Sequence, residues 1–187
     1  NGCYSCPPRC YSIVEDEEAA ARYHINKMTE QTCMSLYFGR VIFPKIAAKR
    51  DLPAARHASM VGIQTMDDLG VWCNYGQLHR DFKKMYVKGL WKKVLPEKEY
   101  NSIPWQKIED CDASFLQDLF QRIAYRQGEM GKWLGESTPY MLGHFGIQES
   151  DWSNDGSTNY WGLGHPKHHA NEDDGQVGVV LNCLYNR

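Results

Sequence analysis

The clearest structural pattern in this sequence is SFLQDLFQRIAYRQG, residues 114–128. Its apolar side chains recur at the spacing of a helix and fall on one face: Phe115, Leu119, Ile123 and Ala124. Ser114 is suited to the N-cap position and Gly128 to the position that ends a helix. A second short helical piece follows over residues 129–136. This stretch therefore predicts a mainly α-helical fold.

The segments on either side of this pattern add further helices and breaks. Residues 15–23 (EDEEAAARY) place acids in a first turn and alanines behind them, which favours a helix start. Residues 34–49 are apolar on several faces, and Pro44 should kink or end any helix that precedes it. Gly70 indicates a turn or a close backbone approach. The Asn, Asp, Gly, Ser, Trp and His of residues 151–171 predict a long polar loop.

Composition narrows the class of protein. The 187 residues are 42% apolar and 12% aromatic, which is enough to bury a sizeable core. The net charge of -2 argues against a nucleic-acid partner or an anionic membrane surface. We see neither a signal peptide nor a stretch long enough to span a membrane, and expect a cytoplasmic protein. The aromatic side chains could line a ligand pocket or fill the core, and composition leaves both open.

Three of the seven cysteines crowd the first ten residues, NGCYSCPPRC. Cys3, Cys6 and Cys10 have C-x2-C-x3-C spacing, which folds three thiolates around one inorganic centre, and Pro7 and Pro8 hold the loop open. A [4Fe–4S] cluster and a structural zinc ion each take four ligands, so one ligand must come from elsewhere. Disulfides are the weaker interpretation, because seven is an odd number and the chain is too large to need them.

Three motifs resemble those of the tungsten-dependent aldehyde:ferredoxin oxidoreductase family, in the same order. Residues 3–10 look like its C-x-x-C-P-x-x-C cluster loop. Residues 67–71 (DDLGV) resemble its D-x-x-G-L pterin-binding motif, and residues 123–136 are similar to its I-A-x-R-x-G-x-G-x-x-L-x-E-G stretch. The resemblance implies the helical middle domain of such a protein with long loops. In it, residues 1–11 form the cluster-binding loop and residues 151–175 a polar loop containing His and Trp.

The resemblance covers most of the chain but only the middle of a family member. The β domain that begins family members and the helical domain that ends them have no counterpart here. We therefore expect residues 1–187 to form a single, partial helical domain and to be an interior fragment. In the family the fourth cluster cysteine comes from a second D-x-x-G copy in the part without a counterpart. Cys73, three residues after Gly70, is an alternative fourth ligand.

The resemblance assigns cofactor roles to single residues. The implied cluster ligands are Cys3, Cys6 and Cys10. Asp67 would accept hydrogen bonds from pterin nitrogens, Gly70 would allow a close approach to the pterin, and Val71 completes the motif. The alternative is an ordinary turn with a D-x-x-G sequence.

Within the family, the branch of class II benzoyl-CoA reductase is the closer likeness. Residues 168–176 (HHANEDDGQ) look like the equivalent stretch of that branch. In that branch a cysteine a short way after the cluster loop approaches the metal, and Cys33 sits at a suitable distance as a thiolate ligand. Glu30 and Thr32 resemble part of the family's Y-E-T signature near the metal, with Thr29 in the place of the tyrosine.

The remaining catalytic candidates lie in a His-rich cluster. Imidazoles and carboxylates there could bind a metal or donate a proton near the substrate. The alternative is a polar loop with solvated imidazoles. With Glu30 included, the catalytic candidates are His168, His169, Glu172 and Glu30.

The resemblance implies an enzyme that works under anaerobic conditions with a tungsten (or molybdenum) bis-pyranopterin and a [4Fe–4S] cluster. It would oxidise aldehydes or reduce an aromatic acyl-CoA thioester, with a ferredoxin or an iron–sulfur subunit as electron-transfer partner. Two alternatives stay open: a non-catalytic iron–sulfur electron-transfer module and a zinc-stabilised interaction domain. Hydrolase and nucleotide-binding functions gain no support, because the sequence has no Walker loop, dinucleotide fingerprint or Ser-His-Asp arrangement.

Overall fold

The computed structural model describes residues 12–31, 42–49, 52–71, 77–136 and 138–148. The elements with described bounds are, in chain order, β1 Ser12–Glu15, α1 Glu17–Tyr23, β2 Met28–Gln31, α2 Pro44–Lys49, α3 Leu52–Leu69, α4 Gln77–Val87, α5 Leu90–Val94, α6 Glu97–Ser102, α7 Gln106–Glu109, α8 Ser114–Ala124, α9 Gly128–Leu134 and α10 Thr138–Phe145. The predicted mainly helical fold is confirmed. None of the helices described is long and apolar enough to cross a bilayer.

The chain divides into two compact units, residues 1–136 and 137–187. The first unit contains every described element from β1 to α9, and α10 is the described helix of the second. The predicted cluster loop, residues 1–11, and polar loop, residues 151–175, lie outside the described residues. The predicted organisation as one partial domain stays a prediction.

Helix α1 begins where an acid-rich segment follows a capping residue. The carboxylate of Asp16 accepts the backbone N–H of Ala19 at 2.9 Å, and acidic side chains occupy the first turn. The helix predicted over residues 15–23 is thus confirmed, although Glu15 belongs to the preceding strand. Asp16 therefore marks the point at which the strand ends and the helix starts.

The two strands on either side of α1 form an antiparallel hairpin. Ser12 pairs with Gln31 at one end, and Glu15 pairs with Met28 at the other. A two-stranded sheet is marginal alone, so it depends on packing against a helix. Here β2 packs against α3.

Helix α3 is the central element of the first unit, and it packs against α8, β2, α1 and α2. Its buried apolar side chains are Ala58, Met60, Val61 and Met66. The buried residues of α8 are Phe115, Leu116, Leu119, Phe120 and Ile123. The predicted apolar face of α8 is confirmed at Phe115, Leu119 and Ile123, whereas Ala124 is half-buried at the end of the helix.

Both predicted boundaries of α8 differ from the structure. Ser114 is the first helical residue and Ala113 is the N-cap. The Asp112 carboxylate accepts the Ser114 N–H at 2.9 Å, so an upstream acid replaces the serine hydroxyl as acceptor. The helix ends at Ala124, and Gly128 opens α9 with a φ of 66° instead of closing α8.

Residues 123–136, which carry the third family motif, form a tight corner between α8 and α9. The Glu99 carboxylate of α6 accepts the two backbone N–H groups that follow Gly128, each at 2.9 Å. A Cβ atom at Gly128 would lie 2.4 Å from that carboxylate, and one at Gly131 would lie 2.2 Å from the Arg122 carbonyl oxygen. The glycines of this motif are therefore explained by the close packing of the corner.

Aromatic side chains from α4, α5 and α8 pack on one another in the core. The Phe82 ring centroid lies 5.4 Å from that of Phe115 and 6.0 Å from that of Trp91. Trp91 is 1% exposed, and its indole N–H donates to the Phe82 carbonyl at 3.2 Å. Tyr86 stacks on Trp105 at 5.7 Å. These aromatic residues thus contribute to the core of the first unit.

Candidate functional site

The predicted pterin-binding residues lie at the carboxyl-terminal end of α3. The Gly70 N–H donates to the Asp67 carbonyl at 3.2 Å, and the Val71 N–H donates to the Met66 carbonyl at 2.9 Å. These are the two hydrogen bonds of a Schellman helix end. Gly70 has a φ of 63°, and a Cβ atom there would meet nothing within 4 Å. The predicted turn is confirmed, and the backbone conformation alone explains the glycine.

The acidic residues at this helix end are not explained in the same way. Asp67 and Asp68 occupy the last turn of α3, which contains no basic residue. The negative end of the helix dipole disfavours a carboxylate there by roughly 0.3–1 kcal/mol. Both side chains are exposed, and neither makes an ion pair or hydrogen bond with the residues the structure describes. Local features that lower stability without compensation are expected at functional sites.

A second helix, α10, ends with the same backbone geometry. The Gly146 N–H donates to the Gly143 carbonyl at 3.3 Å, and the Ile147 N–H donates to the Leu142 carbonyl at 2.9 Å. The φ of Gly146 is 64°. Gly143 here stands at the position that Asp67 has in α3. A helix of this chain can therefore end in this way without an acid, so the turn does not require the carboxylate of Asp67.

A polar cleft of about 350 Å³ adjoins the end of α3. Side-chain amides line it from α3, α8 and the turn after α1: Asn26, Gln64, Gln117 and Gln121. Asp68 adds a carboxylate and His24 an imidazole. The volume lies at the lower end of the range of small-molecule sites. The cleft thus offers hydrogen-bond donors and acceptors to a polar ligand of limited size.

Contacts through Gln64 join the β1–β2 hairpin to the same part of α3. The Gln64 Oε1 accepts the Asn26 N–H at 2.7 Å, and Nε2 donates to the Asn26 carbonyl at 2.9 Å. Nε2 also donates to the hydroxyl of Thr29, which is buried. Glu30 follows Thr29 on β2, where its backbone pairs with that of Ile13. The structure therefore places the strand of Glu30 against the helix that carries Asp67 in its last turn.

A cluster of ionisable side chains around the buried Asp16, farther back along α3, went undetected in the sequence. The Asp16 Oδ2 lies 2.6 Å from the Arg56 Nε and 3.5 Å from the His57 Nε2, and Tyr23 packs edge-on against His57 at 5.8 Å. Burial raises the pKa of Asp16, but the Ala19 N–H and the charge of Arg56 outweigh burial, so the pKa lies below its usual value. A strand end and a distant helix form this cluster, so no local pattern could reveal it.

The other predicted site residues lie outside the described residues: Cys3, Cys6, Cys10, Cys33, Cys73, His168, His169 and Glu172. Their roles stay predictions. Within the ranges that the structure does describe, no group of three or more His, Cys, Asp or Glu side chains is arranged to hold a metal ion.

One comparison with known proteins bears on the whole chain. A family model described as "Aldehyde ferredoxin oxidoreductase, domains 2 & 3" matches residues 1–178. The match includes the cysteine loop, the end of α3 and the corner between α8 and α9, which are the three regions that carry the sequence motifs. A search of solved structures gives no significant match.

Proposed function

We propose that this chain, which belongs to the aldehyde ferredoxin oxidoreductase family, holds a tungsten (or molybdenum) bis-pyranopterin beside a [4Fe–4S] cluster. The enzyme oxidises an aldehyde to a carboxylic acid or reduces an aromatic acyl-CoA thioester. Its electron-transfer partner is a ferredoxin or an iron–sulfur subunit, and it acts in the cytoplasm under anaerobic conditions. Membership of the class II benzoyl-CoA reductase branch is part of the proposal and favours the acyl-CoA substrate.

The end of α3 is the observation that carries this proposal. Asp67 is exposed, has no side-chain partner in the described part of the chain, and lies where its charge lowers helix stability. A carboxylate accepts hydrogen bonds from ring nitrogens, and the next two residues of α3, Asp68 and Leu69, line a polar cleft. Gly70 leaves the surface of the turn open, since a Cβ atom there would meet nothing within 4 Å. These residues fit the hydrogen-bonding character of a pterin.

The pairing register of the hairpin supports the proposal that a cluster ligand and a metal ligand come from neighbouring parts of the chain. Ser12 pairs with Gln31. Cys10 precedes Ser12 by two residues, and Cys33 follows Gln31 by two residues. Two residues of extended chain span at most about 7 Å. Both cysteines therefore flank the same end of the hairpin in the sequence, as expected of ligands to two centres that exchange electrons.

The chain's own side chains would hold the cofactors and move protons. The bound cofactors supply the redox chemistry at the substrate carbon and the path to the electron carrier. Aldehyde oxidation takes up water and releases two electrons and two protons, so the site needs proton acceptors. The proposed acceptors are Glu30, His168, His169 and Glu172. The proposed thiolate ligands are Cys3, Cys6 and Cys10 for the cluster and Cys33 for the tungsten or molybdenum.

Elemental analysis and ultraviolet–visible spectroscopy of the natural protein, purified without oxygen, test the proposal. We expect tungsten or molybdenum together with about four irons per chain and a broad absorbance that bleaches on reduction. Iron and sulfide without tungsten, molybdenum or pterin would indicate the non-catalytic electron-transfer module instead. Zinc in a colourless sample would reject both redox functions and leave the zinc-stabilised interaction domain.

A further inference from the structure

We propose that Gln64 is a positioning residue, which fixes the hairpin that leads to Cys10 and Cys33 relative to the end of α3 that carries Asp67. This inference rests on the proposed function, in which those two regions hold the cluster, the metal and the pterin. Gln64 acts through its contacts with Asn26 and Thr29.

The side-chain amide of Gln64 binds the backbone of Asn26 in the way that a backbone peptide group would. One side-chain amide binds both backbone groups of this residue, accepting its N–H at 2.7 Å and donating to its carbonyl at 2.9 Å. The same nitrogen donates to Thr29, which is 4% exposed. An amide group can donate two hydrogen bonds and accept two, so these contacts use both donor hydrogens and one of the two acceptor sites. An amide held by three hydrogen bonds fixes both the distance and the angle of the segment that it binds.

Gln64 is placed to couple two predicted parts of the site. It precedes Asp67 by three residues, and residues at this spacing are neighbours on a helix surface. On the hairpin, Thr29 directly precedes Glu30 and lies four residues before Cys33. Sites held on regular elements by packed, hydrogen-bonded supporting residues are held most accurately. Gln64 therefore joins the predicted pterin acid to the predicted metal-binding strand through one helix.

A second contact between the hairpin and α3 explains why loss of the Gln64 contacts should change the angle of the hairpin but leave the fold in place. Asp16, directly after β1, lies 2.6 Å from the Arg56 Nε on an earlier turn of α3. Strand β2 also packs against α3. One remaining contact keeps the hairpin attached to α3, but two separated contacts are needed to fix its angle.

Metal retention in length-matched variants of the natural protein tests this inference. Gln64→Met keeps the side-chain length and removes every hydrogen bond of the amide. Gln106→Met is the control, because Gln106 is an exposed glutamine of α7 whose side chain also donates a hydrogen bond, to Asp110 at 2.9 Å, and which does not line the cleft. We expect Gln64→Met to lose roughly 10–100-fold in affinity for tungsten or molybdenum, the range for residues that orient metal ligands from outside. Cluster iron and cooperative unfolding should be retained, and Gln106→Met should match the wild type.

The outcomes separate this inference from the proposed function. Wild-type protein without tungsten or molybdenum would reject the function. A loaded wild type whose metal retention and reduced-cluster electron paramagnetic resonance spectrum are unchanged in Gln64→Met would reject the positioning role alone. Parallel loss of iron and tungsten, with a lower unfolding temperature, would show a merely structural role and also reject it. If Gln64→Met fails to fold, Gln64→Ala adds no bulk, and the same comparison with Gln106→Ala decides.

Discussion

Two aspartates near α3 stand in opposite electrostatic situations. Asp16 is buried, accepts the Ala19 N–H and lies 2.6 Å from the Arg56 Nε, so the fold satisfies its charge. Asp67 is exposed at the negative end of the helix and has no side-chain partner among the described residues. The first acid stabilises the fold, whereas the second lowers helix stability and is open to a ligand. An acid that the fold does not need is the stronger functional candidate.

The largest expected effect follows from removal of the unpaired acid. Asp67→Ala should lower the affinity of the natural protein for tungsten or molybdenum roughly 10–100-fold, the range for loss of a group that supports a metal site. Its thermal stability should be equal or slightly higher, because an unfavourable charge leaves the helix end. Elemental analysis after dialysis, beside a thermal unfolding curve, measures both. Unchanged metal content would remove the functional distinction between the two aspartates.

The opposite pattern is expected for the paired acid. Asp16→Ala should lower the free energy of unfolding by roughly 2 kcal/mol, because it removes the N-cap of α1 and the partner of Arg56. Urea unfolding measures the change, and Glu18→Ala is the control, since Glu18 is an exposed acid in the same helix. A loss equal to that of the control would mean that the Asp16 cluster contributes little to the fold.

The Schellman ends of α3 and α10 separate the role of the glycine from that of the acid, because only α3 carries an acid there. Gly70→Ala and Gly146→Ala should each cost about 1 kcal/mol, since both residues have positive φ and a Cβ atom at either meets nothing within 4 Å. Only Gly70→Ala should also weaken metal retention, because only α3 carries the proposed pterin acid. Equal metal retention in both variants would indicate that the turn of α3 is purely structural.

The smallest expected effect concerns acid stability. The pKa of Asp16 is lowered in the folded protein, so its stabilising contribution is present above the unfolded pKa of about 3.9 and is lost as pH falls through the folded pKa. Arg56 is half exposed and solvent screens its charge, which limits the size of the effect. Unfolding free energies from pH 7 to pH 2 should therefore fall more steeply for the wild type than for Asp16→Asn. Parallel curves for the wild type and Asp16→Asn would contradict a lowered pKa of Asp16 in the folded protein.

Local sequence patterns predicted the elements better than the contacts between them. Periodicity predicted α8 and its buried face, and turn chemistry predicted the break at Gly70. The start of α8 was placed one residue late because Ser114 is a good capping residue, whereas the nearby Asp112 supplies the acceptor. Gly128 was predicted to end a helix, yet it begins α9 because the Glu99 carboxylate from α6 binds the N–H groups that follow it.

Of the candidate site, the sequence predicted the D-x-x-G motif but not the contacts around it. The D-x-x-G pattern identified Asp67 and Gly70, because the motif is contiguous in the chain. The amide-lined cleft and the contact between Gln64 and Asn26 join segments that are far apart in the sequence. Such contacts depend on how α1 and β2 pack against α3, which no local spacing encodes. Their discovery required the folded structure.

A crystal structure of the natural protein, purified without oxygen and loaded with its cofactors, tests most directly the claim that the end of α3 binds a pterin. We expect a pterin nitrogen within hydrogen-bond distance, about 2.7–3.2 Å, of an Asp67 carboxylate oxygen. We also expect the turn at Gly70 to face the ligand. A pterin held elsewhere, with Asp67 directed into solvent, would contradict the claim.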